Sequence, residues 1–244
     1  MSFFKRNLLK YSPSSRSVFY RVKAFFSNVF IGKSVGHRTY VDPTVHVLHW
    51  SDVSIGSDCI LSQDVWINVN HSNNEFRSLE IGSYGFIGRR NFFSSGKQIV
   101  LKDFCMTGCD CHFLGSDHNF QDPYSAYIST GTTKTNTIKV GVNCWLGAGV
   151  TIMGNVTVGY GSIIGTRSLV ISDIPPFSIA VGSPARVIKR FDFQRNEWVK
   201  ISEYTEANEA LMPGEDEYHK ILMEKSSEIN MPWRAAGKSM GDLF

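Results

Sequence analysis

Val140-Gly141-Val142-Asn143-Cys144-Trp145 opens a run in which an aliphatic residue returns every sixth position, at Leu146, Ile152, Val158, Ile164 and Val170. Glycine follows it at Gly141, Gly147, Gly159 and Gly165. The residue four places after each aliphatic is small or modest in size: Cys144, Val150, Val156, Ser162, Ser168 and Ile174. A period of six suits neither an α-helix nor a flat strand. It is the period of a β-solenoid whose coil has three short strands and three corners.

The count extends backwards. Val35, Val41 and Val47 make one coil; Ile55, Leu61 and Ile67 the next; then Ile81, Ile87 and Phe93; then Leu101, Thr107 and Phe113. With the run from Val140 this predicts six coils. The aliphatic residue points into a narrow triangular prism, and the residue four later also faces inward and must be small. Coils stack at about 4.8 Å, so like positions pile up into one continuous core. The register slips briefly after Ile67 and Phe93. After Phe113 it slips far, and residues 119–139 form a long loop carrying Phe120, Asp122, Tyr124, Tyr127 and a threonine-rich tail. A loop of that length inside a compact repeat reads as a lid or a contact with a neighbouring subunit, with a disordered insertion as the alternative.

At 244 residues, 42% hydrophobic and 19% charged, the chain can bury one sizeable core. No apolar run reaches the roughly 18 residues that would cross a bilayer, and no signal-peptide pattern is apparent. The formal net charge of +3 is unevenly placed, because no acidic residue precedes Asp42 while eight lysines and arginines do. Those basic residues alternate with aromatics such as Phe3, Phe19, Tyr20 and Phe26. Residues 1–34 therefore read as a helical cap over the open end of the solenoid, with attachment to an anionic membrane surface as the competing reading. Nucleic acid is not expected, since the rest of the chain is net acidic.

Cys105, Cys109, Cys111 and His112 look like a metal cluster when read as a string. The repeat argues against it. Cys59, Cys105, Cys111 and Cys144 all fall on the small inward position, where cysteine acts as a compact apolar filler. Only Cys109 and His112 face outward, so no metal site is expected. Packed thiols of this kind suit a reducing cytosol.

Asn143-Cys144-Trp145-Leu146-Gly147, Ile164-Gly165, Asp173-Ile174-Pro175-Pro176 and Ala180-Val181-Gly182-Ser183-Pro184-Ala185-Arg186-Val187-Ile188 resemble the hexapeptide-repeat acyltransferases. The likeness is narrower to the galactoside, maltose and xenobiotic O-acetyltransferase branch and its polysaccharide-modifying relatives, and it covers about 35–191. It implies a left-handed parallel β-helix, an exception to the right-handed crossover rule. It also implies a homotrimer with active sites between subunits and acetyl-CoA as donor. Domains are expected at 1–34 (cap), 35–190 (β-helix) and 191–244 (C-terminal extension).

His118, in Gly115-Ser116-Asp117-His118-Asn119-Phe120, lies where the even stack breaks and the long loop departs. In the resembling enzymes a histidine at this junction is the general base. A sugar hydroxyl attacking a thioester needs a base that takes its proton as the C–O bond forms, and neutral imidazole can do so near pH 7. Backbone amides from Trp145 to Ala148 are candidates to receive the thioester oxyanion. No cysteine or serine stands beside His118 as a nucleophile, so direct transfer is expected. Asp117 is a candidate acceptor contact but a poor orienter, because adjacent side chains on an extended chain diverge. A backbone carbonyl or Asp122 is the alternative orienter.

The resemblance places the pantetheine arm of acetyl-CoA along Ala148 and Thr166, and the coenzyme phosphates near Arg186 and Lys189. Ile171-Ser172 stands where the family often has Thr-Lys, and Arg167 is a candidate for the missing cation. Asn91 matches the acceptor-binding asparagine by register, and Trp145 offers an apolar wall to sugar or pantetheine. Segments 191–201 and 215–229 read as short amphipathic helices, with Phe191, Phe193 and Trp198 packing back on the last coil.

The function expected is transfer of acetyl from acetyl-CoA to a hydroxyl of a surface polysaccharide or its precursor, in the cytosol or at the cytoplasmic membrane face. N-acetylation of an amino sugar is the nearest alternative. Two further classes are a metal enzyme resembling the γ-class carbonic anhydrases, through His71, His112 and His118, and a non-catalytic trimeric solenoid.

Overall fold

A computed structural model describes residues 34–71 and 75–226. Among the described residues, 34–215 form one compact unit. The expected cap over 1–34, its membrane alternative and the end of the last expected helix lie outside the described residues.

Residues 34–182 wind into three parallel walls. The first wall is made by Tyr40–Val41, Ile60–Leu61, Phe86–Ile87, Met106–Thr107, Trp145–Leu146, Ile163–Ile164 and Ser178–Gly182. His46–Val47, Trp66–Val69, Phe92–Ser95, His112–Leu114, Thr151–Met153 and Leu169–Val170 make the second. The third consists of Val53–Ile55, Leu79–Ile81, Gln98–Leu101, Thr137–Val140 and Val156–Val158. Register follows the repeat: Leu61, Ile87, Thr107, Leu146 and Ile164 lie over one another, as do Ile67, Phe93, Phe113 and Ile152. These residues are buried, and the Phe93 and Phe113 rings stack at 4.5 Å inside the prism.

Two of the three corners repeat one turn. The third residue after the inward aliphatic has positive φ at Arg38, Asp58, Asp64, Tyr84, Arg90, Phe104, Asp110, Asn143 and Arg167, with Gly149 and Gly161 filling the same slot. A left-handed conformation costs a non-glycine residue about 1–2 kcal/mol. The stack offsets it, because most of these amides donate to a corner carbonyl of the coil before: Asp110 N–H to Arg89, Gly149 to Cys109, Arg167 to Ala148; Asp64 N–H donates instead to Thr44 Oγ1 at 2.8 Å. The third corner, between the second and third walls, is irregular. A 3₁₀ turn at Trp50–Asp52, the segment around 70–78 and the loop 119–139 all leave from it. The outward faces differ as well. Ser54, Glu80, Val100, Lys139 and Thr157 line the third wall, whereas the first shows Met106 and Trp145 and the second Trp66, Phe92 and His112.

One expectation is corrected after the last coil. Residues 191–201 are not a helix. Ser178–Gly182, Ala185–Asp192 and Glu197–Lys200 form an antiparallel meander that continues the first wall. The alternation of Val187, Lys189, Phe191 and Phe193 is a two-residue period, and it outweighs the helical one. Phe177, Phe191, Phe193 and Trp198 pack edge to face as a cluster at 4.8–5.3 Å. Buried Arg190 crosses to Glu209, donates to the Pro176 carbonyl at 3.0 Å and lies 4.3 Å over the Tyr204 ring. Helices follow at Glu206–Glu209 and Glu215–Ser226. Glu215 receives the Val142 amide at 3.1 Å and Lys102 at 2.5 Å.

The corner glycines are a packing requirement. A Cβ on Gly108 would lie 2.5 Å from the Ala148 nitrogen. Gly108→Ala is therefore expected to lower unfolding free energy by about 2 kcal/mol or more, read from denaturant curves. Gly214→Ala, whose Cβ meets nothing within 4 Å, should change it by about 0.5 kcal/mol or less.

Candidate active site

His118 stands just beyond the second wall, at the irregular corner. The long loop returns beside it. Thr133 N–H donates to the Asp117 carbonyl at 2.7 Å and Asn119 N–H to the Gly131 carbonyl at 3.1 Å, which pairs His118 antiparallel to Thr132. Asn119 Nδ2 donates to the Thr130 carbonyl at 2.7 Å, and Asp117 N–H to Thr133 Oγ1 at 3.0 Å. The loop is thus internally bonded. It also carries a 3₁₀ turn at Tyr127–Ser129 and a turn at Asp122, which accepts from Ser125 Oγ at 2.6 Å and Tyr124 N–H at 3.0 Å.

His118 is exposed and lines a cavity of about 350 Å³ with Asp117, Phe120, Tyr127 and Ile128. The Asp117 carboxylate accepts the backbone amide of His118 at 2.8 Å, not the ring. Asp122 is spent on its own turn, so neither carboxylate orients the imidazole. Among the described residues the ring has no hydrogen-bond partner.

One expected contact needs correction and a second is narrowed. Asn91 is fully buried, and its Nδ2 donates to the carbonyls of Gly88 and Gly108, both at 2.8 Å. It fills the small inward position of its coil and does not face an acceptor. The Trp145 and Gly147 amides donate to Ser162 and Ile164 of the next coil at 2.9 and 2.8 Å, so neither is available to an oxyanion. The Trp145 ring lies outward on the first wall, 49% exposed, in line with Met106 and Ile163.

Ala148, Thr166 and Arg167 share the corner between the first and second walls, one coil apart, with Arg167 N–H bonded to the Ala148 carbonyl at 2.8 Å. Arg186 and Lys189 lie on the meander opposite Val181 and Ile179. Arg186 is exposed, and among the described residues its guanidinium donates only to its neighbour's carbonyl, Ala185, at 3.0 Å. Within one chain this group and His118 occupy different corners of the prism.

Asn68, Asn70 and Ser95 escaped the sequence reading, which named His71 only in the metal-enzyme alternative. Asn68 and Asn70 run along the second wall; Asn70 Nδ2 bonds Ser94 Oγ at 2.9 Å and the Ser95 carbonyl at 3.2 Å. The buried Ser95 hydroxyl has no partner among the described residues. Half-buried His71 shares a 2.9 Å hydrogen bond with Thr132. Its pKa is lowered by burial and by nearby Lys134. The available signal was the outward alternation Asn68, Asn70 in a wall strand that should have turned earlier.

The thiols lie as the repeat predicts. Cys59, Cys105, Cys111 and Cys144 are buried, each with its Sγ 3.0–3.3 Å from the carbonyl of a glycine on the next coil: Gly82, Gly141, Gly147 and Gly159. Burial pushes the Cys59 and Cys111 thiols up to about 11 and raises the Cys144 thiol as well, away from the reactive thiolate. A folded sample at pH 8 should release colour from one thiol per chain with a disulfide reagent, Cys109. All five should react in denaturant. Two or more fast native thiols would contradict the inward assignment.

No family model matches the chain. Curated relatives include a putative acetyltransferase of Staphylococcus aureus strain MRSA252, 32% identical over 117 residues, 47% of this chain and 56% of that one. A chloramphenicol acetyltransferase of Agrobacterium fabrum is 35% identical over 116 residues, 47% and 53% of the two chains. A probable acetyltransferase of Mycobacterium tuberculosis is 28% identical over 127 residues, 51% and 42%. The chain spans about half the length of the curated relatives it matches. Among solved structures, the N-acyltransferase AntD of Bacillus cereus, in complex with dTDP and 3-hydroxybutyryl-CoA, superposes with a TM-score of 0.57 at 20% identity. That match covers 66% of this chain and 85% of AntD. The fold is a parallel β-helix shared with that acyltransferase, and the curated relatives that the chain matches over part of their length are named acetyltransferases.

Proposed function

We propose that the protein is an acetyl-CoA-dependent O-acetyltransferase that acylates a sugar hydroxyl, in a surface polysaccharide such as capsule or lipopolysaccharide or in its precursor. The observation that carries this reading is His118, exposed in a cavity at the irregular corner, in a chain whose curated relatives are named acetyltransferases. The acceptor hydroxyl gives its proton to the neutral imidazole while its oxygen attacks the thioester carbonyl. The tetrahedral intermediate then collapses, the C–S bond breaks, and the imidazolium returns the proton to the departing thiolate of CoA. No covalent enzyme intermediate is invoked, since among the described residues no cysteine or serine lines the His118 cavity.

Donor binding is assigned to Ala148, Thr166 and Arg167 along their shared corner, with Arg186 and Lys189 toward the phosphates. AntD carries an acyl-CoA on the same fold, which supports this donor class. We further propose a homotrimer. Apolar columns cover the first and second walls but not the third, which suits a chain with two covered faces. A neighbour's donor corner would then face His118 across the seam. Apolar Phe120, Tyr127 and Ile128 around His118 offer a surface to the acceptor ring. We place the reaction in the cytosol, where acetyl-CoA is available.

Purified protein should release CoA thiol from acetyl-CoA in the presence of hydroxyl-bearing glycans, and more slowly or not at all with amino sugars. Faster turnover on an amino sugar would move the assignment to N-acetylation. His118→Ala should lower turnover about 100-fold or more with an unchanged unfolding curve. A loss of less than about tenfold would remove His118 as the base. Arg186→Ala should raise KM for acetyl-CoA about three- to tenfold with kcat nearly unchanged, and an unchanged KM would remove its phosphate contact.

A further inference from the structure

The ring of His118 has no orienting carboxylate, yet a general base gains from a fixed orientation. The structure supplies a different support. Two backbone hydrogen bonds, Asn119 N–H to Gly131 and Thr133 N–H to Asp117, bracket the His118–Thr132 pair without joining it. That makes it a non-hydrogen-bonded antiparallel pair, in which facing side chains project from the same side and approach most closely, with Cα atoms about 4.5 Å apart. Thr132 therefore shares its face of the ribbon with the imidazole of His118.

Thr132 is itself held from below. Its Oγ1 lies 2.9 Å from Nε2 of His71, which comes from the segment leaving the same corner two coils earlier. The carbonyl of His71 accepts a hydrogen bond from Ser78 Oγ at 2.9 Å, and Ser78 is fully buried. A rigid point in the solenoid is thus connected through His71 and Thr132 to the residue that faces His118. The Thr132 hydroxyl can donate to an unprotonated Nε2 or accept from a protonated one, so either imidazole tautomer keeps the contact.

We propose that His71 is a positioning residue: by holding Thr132, it fixes the loop ribbon that sets the backbone and side-chain direction of His118. This rests on the reading of His118 as the base, and it assigns His71 no contact with acetyl-CoA or acceptor. Nothing in the metal-enzyme reading of His71 is needed for it.

The variants are His71→Ala, His71→Gln, Thr132→Val and the double variant His71→Ala/Thr132→Val. Steady-state transfer at saturating acetyl-CoA should show kcat reduced about tenfold in His71→Ala and in Thr132→Val, with KM for acetyl-CoA within about twofold of the parent. Gln, which can still bond Thr132, should restore most of the rate. The double variant should be no worse than either single one, because both remove one contact. Hydrogen exchange of the Asn119 and Thr133 amides should quicken in both single variants, a readout that needs no chemistry. Unchanged kcat in Thr132→Val, or unchanged exchange at those amides, would overturn the proposal. So would losses that multiply in the double variant. If the parent transfers no acetyl group while the amides still loosen in the variants, the acyltransfer reading fails and the positioning role stands.

Discussion

The close approach of one corner to the corner beneath it governs this molecule. An aliphatic residue every sixth position drives burial, but burial alone would tolerate many arrangements. What selects the three-sided coil is the left-handed residue at the regular corners, whose amide in most coils donates to a carbonyl of the coil already in place. Glycine beside it lets the two backbones come close enough. Each coil therefore stabilises an otherwise costly turn in the next, and the unit propagates along one axis.

That constraint also decides where chemistry can be placed. Two corners repeat a fixed turn and admit no insertion without breaking the column of amide-to-carbonyl bonds. The third carries no such column, and every extra segment leaves from it. His118 lies there because a long loop can depart and return without disturbing the stack. Ala148, Thr166 and Arg167, which we propose hold the donor, sit at a regular corner where the backbone is fixed. A single prism keeps these two groups apart, which is the physical reason for assigning the complete site to a seam between copies.

The walls, the coil count and the inward cysteines were legible in the sequence because each depends on local periodicity. The period of six survives every insertion, so Leu61 over Ile87 or Phe93 over Phe113 follows from counting. The end of the solenoid was harder. Phe191, Phe193 and Trp198 suit either a helix face or alternating strands, and only the preceding hairpin through Gly182 and Pro184 settles the period as two. Asn91 was misplaced because a register match cannot separate an inward amide, bonded to Gly88 and Gly108, from an outward one. The pairing of His71 with Thr132 was invisible, since those residues lie 61 positions apart and meet only once the loop folds back.

Shared construction of the site between chains is the claim on which the functional account turns, and mixed oligomers test it most directly. One chain would carry His118→Ala and the other a bulky Ala148→Trp that blocks the donor corner; each alone should be inactive. Co-expressed in equal amounts, they should recover about a quarter of the parental activity, because one seam in four then pairs an intact imidazole with an intact donor corner. No recovery in mixed oligomers of normal size and stability would show that each chain uses its own two corners, and the account would be wrong.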